Sequence, residues 1–213
     1  MFVHNELKFA LRCTPFGHVG LFPEQAANWD WIADCVRCAG RPLEVLNLFA
    51  YTGGATLAAA AAGASVVHVD AARNIIAWAR RNAELSGLEK SPIRWIVDDA
   101  LTFVRREVRR GRRYDAVILD PPTYGHGPRG QSWKIDSDLR ELLAECRKLF
   151  VEPEFALFTC HTPAIDRHAA AGLLANLLPA PDAGHIESPD LTLTASTGPQ
   201  FSAGVAARWR ESP

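Results

Sequence analysis

The chain has little of what would class it at a glance. Over 213 residues no apolar run approaches the roughly eighteen that a membrane span requires, and the N-terminal MFVHNELKFALRC lacks the long apolar stretch of a secretory signal. Neither a membrane partner nor export is expected. Cysteine is sparse: five residues, an odd number without framework spacing, which points to reduced thiols and a cytoplasmic location. Cys35 and Cys38 form a CxxC, but on an apparent helix and with no second pair to complete a tetrahedral site, so no metal is expected. Lysine occurs only at Lys8, Lys90, Lys134 and Lys148, and the net charge of −1 shows no excess of either sign. That balance neither supports nor excludes nucleic acid as a partner, because the placement of charge decides it. What is present is ordinary: 48% hydrophobic and 22% charged residues, enough to bury one sizeable core.

The chain is organised around Glu44 to Gly63, EVLNLFAYTGGATLAAAAAG. An apolar run ends in a Gly-containing turn and passes into an alanine-rich segment closed by Gly63, the pattern of buried strand, tight turn, helix and glycine cap. Before it, LKFALRC reads as a strand needing a partner that the short N-terminal tail does not provide. That partner is either Val19 to Phe22 or a preceding domain. A helix, AANWDWIADCVRCAG, follows. After it, strands are expected at Glu44 to Phe49, Ser65 to Val69, Ile93 to Val97, Tyr114 to Leu119 and Phe155 to Thr159. Helices are expected at Gly54 to Ala62, Arg73 to Ser86, Ala100 to Arg110, Ser137 to Phe150 and Ala164 to Leu178. This alternation implies a parallel α/β sheet with right-handed crossovers, and the tail, LTLTAS to SAGVAARW, reads as an antiparallel hairpin at its edge. Residues 1–40 form an N-terminal strand, loop and helix packing on the core, and residues 41–213 the main domain.

In such a sheet a cofactor lies outside the carboxyl ends of the strands. Asp70 ends the second strand about twenty positions past the Gly turn, where it can accept hydrogen bonds from ribose hydroxyls or cap the next helix. A dinucleotide fingerprint is missing: Phe49 and Tyr51 stand where GxGxxG needs small residues, which counts against NAD and a pyrophosphate. A sulfonium-linked adenosine has no phosphate and tolerates side chains there. Asp98 and Asp99 end the third strand, where a carboxylate can accept from an adenine amine or cap a helix.

DPPTYGHGPRG, from Asp120, is the most informative short run. An acid followed by Pro121 and Pro122 at the end of a buried strand makes a rigid turn that can hold the edge of a planar base in line with a methyl donor. Thr123, Tyr124, Arg129, Trp133 and Lys134, set among glycines, suit a flipped or single-stranded base. Cys160 closes the fifth strand. If that strand neighbours the fourth, its thiol lies beside Asp120 and Pro121, where a thiolate could add to carbon 6 of a pyrimidine; the other reading is an inert packing cysteine. RREVRRGRR is expected at the far edge of the sheet as a solvated helix end rather than a nucleic-acid patch.

With NLFAYTGG, VD, DDA, DPPT and FTC in this order, the chain resembles class I S-adenosylmethionine-dependent methyltransferases, most of all the large-subunit ribosomal RNA cytosine-5 group. The resemblance covers about Thr14 to Trp209. It implies a Rossmann-like three-layer sandwich with a mainly parallel seven-stranded sheet, S-adenosylmethionine as cofactor and RNA as partner. It places the donor across Phe49, Tyr51 and Gly53, with Asp70 on the ribose, Asp99 at the adenine, and Phe22 to Gln25 closing over it. Asp120 to Pro122 then face the methyl group and the base, and Cys160 matches the nucleophile position. Asn47 stands where many relatives carry an acid. DPPT is shared with a branch that methylates a guanine ring nitrogen without a cysteine, and the family's N-terminal RNA-binding domain is expected to be absent from this chain. The expectation is methyl transfer to cytosine carbon 5 in ribosomal RNA, with nitrogen methylation or a non-catalytic donor-binding module as alternatives.

Overall fold

A computed structural model describes residues 1–14, 17, 19–150, 152–181, 184–194 and 197–211. The chain opens with a hairpin, β1 (Phe2–His4) and β2 (Leu7–Phe9), and a short 3-10 turn (Pro23–Gln25) leads into α1 (Ala26–Cys38). Then come β3 (Glu44–Leu48), α2 (Gly54–Ala61), β4 (Ser65–Asp70), α3 (Arg73–Leu85), β5 (Ile93–Val97), α4 (Ala100–Arg109) and β6 (Ala116–Leu119). A second small hairpin, β7 (Tyr124–His126) and β8 (Ser132–Lys134), precedes α5 (Ile135–Arg147), β9 (Phe155–Cys160) and α6 (Arg167–Leu177). The tail supplies β10 (Gly184–Glu187), β11 (Asp190–Thr194) and β12 (Gln200–Glu211).

The main sheet runs β10-β12-β9-β6-β3-β4-β5, with β11 paired to β12 off this path, so it holds eight strands among the described residues rather than the seven expected. The parallel strands are those expected from the apolar runs, within a few residues at each end. The β11/β12 hairpin is also present, but β12 inserts between β9 and the unforeseen β10, antiparallel to both. One expectation is overturned at the N-terminus. The partner of β2 is the tail itself, in register from Phe2↔Phe9 to His4↔Leu7, because Asn5 takes the positive φ of 50° that a two-residue hairpin turn needs. Residues 19–22 do not pair with β2; Val19 accepts from the Arg12 N–H, beyond the end of that strand.

Strand alternation divides the core. Leu46, Leu48, Val117, Leu119, Ala156, Phe158 and Cys160 face α4, α5 and α6, while Val45, Ala116, Ile118, Phe155 and Leu157 face α1 and α2. A third cluster, including Phe9, Trp29 and Leu57, ties the N-terminal hairpin to the same layer as α2. Fully buried side chains such as Phe158 and Leu119 each contribute about 2 kcal/mol by leaving water. The arginine-rich stretch lies where expected: Arg110 and Arg112 pair with buried Glu107, and Arg112 approaches Glu44 at the amino end of β3.

Candidate active site

The turn after β3 is strained and held. Phe49 (φ 55°) and Tyr51 (φ 48°) both occupy the left-handed region, at a cost of about 1–2 kcal/mol each for residues with a Cβ, and Gly53 follows at φ 95°. Four anchors hold it. The Tyr51 N–H donates to Asp70 Oδ2 at 2.9 Å, the Ala50 N–H to the Val69 carbonyl at 3.0 Å, Thr52 Oγ1 to the Gly20 carbonyl at 2.7 Å, and Asn82 Nδ2 to the Thr52 carbonyl at 3.0 Å. Below it, Asn47 Nδ2 donates to Thr56 Oγ1 at 2.9 Å, and that hydroxyl is hydrogen-bonded to His68 Nδ1 at 2.9 Å. Burial lowers the His68 pKa to about 3, so the ring is neutral. Asn47 is thus occupied in supporting the turn.

The turn forms one wall of a cavity of about 460 Å³, a size suited to a small-molecule cofactor. Asp70, Asp98, Asp99 and Asp120 all line it, with Phe22, Phe49, Tyr51, Pro121, Pro122, Thr123, Trp133 and His161 among the other walls. Asp70 Oδ1 accepts from the Ala72 N–H at 2.9 Å; it ties down the approach to α3 without being the cap, which is Ala72. Burial pushes the Asp70 carboxyl up, against the pull of its two backbone donors. Asp99 caps α4, Oδ1 accepting from the Thr102 N–H at 2.8 Å, and its other oxygen accepts no hydrogen bond among the described residues. Asp98 is committed elsewhere: its carboxylate holds Arg106 at 2.7 Å and Arg129 at 3.1 Å.

The loop after Asp120 is the β7/β8 hairpin, and it closes one side of the cavity. Trp133 is buried rather than displayed, its ring 4.8 Å from that of Phe49 and its Nε1 donating to the Pro122 carbonyl at 2.7 Å. Thr123 Oγ1 lies 2.7 Å from Thr162 Oγ1. Arg129 reaches back to Asp98, while Tyr124 and Lys134 are exposed. Of the five residues assigned to a base, Thr123 and Trp133 line the cavity and Arg129 braces its wall.

Asp120 and Cys160 part company. In the parallel β6/β9 ladder Leu119 pairs with Phe158, so the next position, Asp120, lies level with Thr159 and on its face, and Cys160 points to the opposite face. Cys160 is 1% exposed among Phe158, Trp133 and Val205, is absent from the cavity lining, and its Sγ accepts from the Thr162 N–H at 3.4 Å. Burial pushes its thiol up, against the pull of the Thr162 N–H and hydroxyl and with a smaller push from the Asp120 charge, which opposes the thiolate a nucleophile needs. Asp120 lines both the main cavity and a smaller one of about 50 Å³, shared with Gln25, Asn28, Asn47 and Thr159. Its Oδ1 is sealed from solvent and has no hydrogen-bond partner among the described residues, His161 Nε2 lying 3.7 Å away. Burial pushes the Asp120 carboxyl up, offset by His161 and the Thr159 hydroxyl. Gln25 Nε2 donates to Asp120 Oδ2 at 3.4 Å, so this side chain faces the acid, while Phe22 lines the cavity and packs against Tyr51 and His161. Asn28 and Arg208, which complete this cluster with His161, carry no motif signal, whereas His161 stands out in sequence only as the neighbour of Cys160.

A parallel sheet that gathers the acids following β4, β5 and β6 around one apolar cavity defines a nucleoside-binding α/β protein of the Rossmann-like class. Residues 1–179 match the family model described as S-adenosylmethionine-dependent methyltransferase, and the chain belongs to that family. It is 34% identical over 144 residues to the ribosomal RNA large subunit methyltransferase K/L of Shewanella frigidimarina, covering 67% of this chain and 19% of that protein. The Shewanella baltica counterpart is 35% identical over the same shares, so the chain spans 19% of the length of both relatives. Among solved structures, the SAM-dependent methyltransferase from Agrobacterium tumefaciens is similar with a TM-score of 0.91 and 39% identity, over 97% of this chain and 68% of that one. SMU.776, a methyltransferase solved with SAH, shares the fold at a TM-score of 0.70 and 18% identity, over 90% and 50% of the two chains. The fold is the class I methyltransferase sandwich expected from the strand order and motifs.

The cavity fits S-adenosylmethionine on its own chemistry. Asp70 and Asp99 offer acceptors for ribose hydroxyls and an adenine amine, and Phe49, Val69, Ala100 and Pro121 offer apolar walls.

Proposed function

We propose that this chain transfers the methyl group of S-adenosylmethionine to a nitrogen of a base in RNA, in the cytoplasm. Large-subunit ribosomal RNA is the acceptor class to which the relatives' name points. The single observation that carries the choice of atom is the contrast between Asp120, which lines the cavity, and Cys160, whose thiol is turned into the core and is absent from the lining. Asp70 would hold the ribose and Asp99 the adenine, and the turn from Phe49 to Gly53 would support the donor. When bound, the donor supplies an electrophilic methyl carbon on a sulfonium. Asp120 accepts a hydrogen bond from the acceptor's N–H and orients its lone pair. For an amino nitrogen it also takes up the proton released as the new N–C bond forms, a task favoured by its raised pKa. Pro121 and Pro122 keep this carboxylate rigid, and Tyr124 and Lys134 on the exposed hairpin are the proposed RNA contacts. Nucleoside mass spectrometry of RNA incubated with protein and donor tests the proposal: a methylated nitrogen supports it. Donor binding without transfer to any RNA would instead mark a non-catalytic module.

Cytosine carbon 5 is the competing reading, favoured by the position of Cys160 one residue past the register partner of Asp120. It requires the thiol to leave the core. A trapped adduct on RNA containing 5-fluorocytosine, lost in Cys160→Ala, would establish it in place of the nitrogen route.

A further inference from the structure

We propose that Arg208, Asn28 and Gln25 form a one-directional hydrogen-bond relay that turns the donor end of the Gln25 amide onto Asp120 Oδ2 and so fixes the orientation of that carboxylate toward the acceptor base. The three are positioning residues, and the inference rests on the reading of Asp120 above. The direction follows from chemistry alone. A guanidinium only donates, so Arg208 Nε, 2.7 Å from Asn28 Oδ1, makes that atom the acceptor. Asn28 must then present Nδ2, which donates to Gln25 Oε1 at 2.5 Å, and Gln25 must present Nε2 to Asp120 Oδ2 at 3.4 Å. His161 completes the arrangement. Its Nδ1 donates to the Ala203 carbonyl at 2.7 Å, and its Nε2 lies 3.4 Å from Gln25 Nε2 and 3.7 Å from Asp120 Oδ1. Asn28 is 1% exposed and Gln25 7%, so water does not compete for these bonds. Reversing the Gln25 amide would bring its carbonyl against the Asp120 carboxylate, repelling it.

Arg208 is held in place by its stacking over Trp31 and its pairing with Glu187, and it stands on β12, past residue 179 where the family match ends. The C-terminal strand thereby sets the polarity of a site built on the strands before it.

Asn28→Asp tests the relay with almost no change of shape: the carboxylate still accepts from Arg208 but has no hydrogen for Gln25. The expected result is a kcat lowered about 100-fold, the cost of a misdirected catalytic group, with the KM for the donor unchanged. A second readout needs neither donor nor activity. The Gln25 side-chain amide protons, slowed in exchange in the wild type by burial and by the Asp120 acceptor, are expected to exchange fast in the variant. Wild-type kcat together with unchanged amide exchange in a folded Asn28→Asp would overturn the relay. If that variant does not fold, Arg208→Lys, which can only donate, is expected to keep the slow amide exchange, and Arg208→Gln, which can point either way, to lose it; equal exchange in the two overturns the proposal. If the wild type methylates no RNA, the acceptor reading fails, and the amide exchange still decides the relay.

Discussion

At the carboxyl ends of β6 and β9 the two faces of the sheet differ sharply. Toward α1 lie Asp120, Thr159, Asn47, Gln25 and Asn28, a polar cluster with a small cavity among them. Toward α5 and α6 lie Leu119, Phe158 and Cys160, packed with Trp133 and Val205. The residues alternate in sequence, so one step along a strand carries a side chain from one environment to the other. The difference teaches that reactive residue types near a cleft are not equivalent. Asp120 lines the cavity, and Cys160 has a thiol that its surroundings keep protonated.

The comparison breaks most directly at Asp120. Asp120→Asn is expected to lower kcat for methyl transfer about 10²–10³-fold while S-adenosylhomocysteine binding, read by calorimetry, stays intact. A smaller effect is expected on the donor side: Asp70→Asn should weaken donor affinity about tenfold, since a hydrogen bond to a charged acceptor contributes about 1.5 kcal/mol or more. The opposite face should respond differently. Cys160→Ala is expected to keep kcat and to cost about 1 kcal/mol of stability by denaturant unfolding, from the lost packing of a small buried side chain. Loss of activity with retained fold would reverse the assignment of the two faces.

Stability sharpens the same contrast. The Asp120 carboxyl has a raised pKa in the folded protein, so above that pKa the folded state carries a charge that burial disfavours. As pH falls through the folded value, proton uptake relieves that cost before the unfolded chain takes up its proton. Asp120→Asn is therefore expected to melt at higher temperature than the wild type at neutral pH, the gap closing as pH falls toward the ordinary carboxylate range. The smallest effect belongs to the solvated rim. Breaking the exposed Arg105 and Glu141 pair by Arg105→Ala should change stability by less than about 0.5 kcal/mol.

Much of this was legible in the chain. The apolar runs and glycine caps foretold the parallel strands and their helices, and the acids at the strand ends foretold Asp70, Asp99 and Asp120 around one cavity. Asp98 could not be told from Asp99 by sequence, because the difference is made by Arg106 and Arg129 folding onto one of them. Residues after Pro122 read as a flexible base-binding loop because of their glycines, whereas the β7/β8 pairing and the contact with Phe49 turn Trp133 inward. The hairpin partner of β2 was missed because two ordinary residues make its turn, one of them Asn5 in the left-handed region.

The sequence by itself determined what local chemistry controls: where strands start, where a turn needs glycine, and which strand ends carry an acid, since these depend on a few neighbouring residues and on periodicity. Only the tertiary structure decided which face each residue takes and which partners each acid finds. Those depend on register between strands and on partners as distant as Arg208 and Asn28, 180 positions apart, whose hydrogen bond exists only once β12 has inserted beside β9.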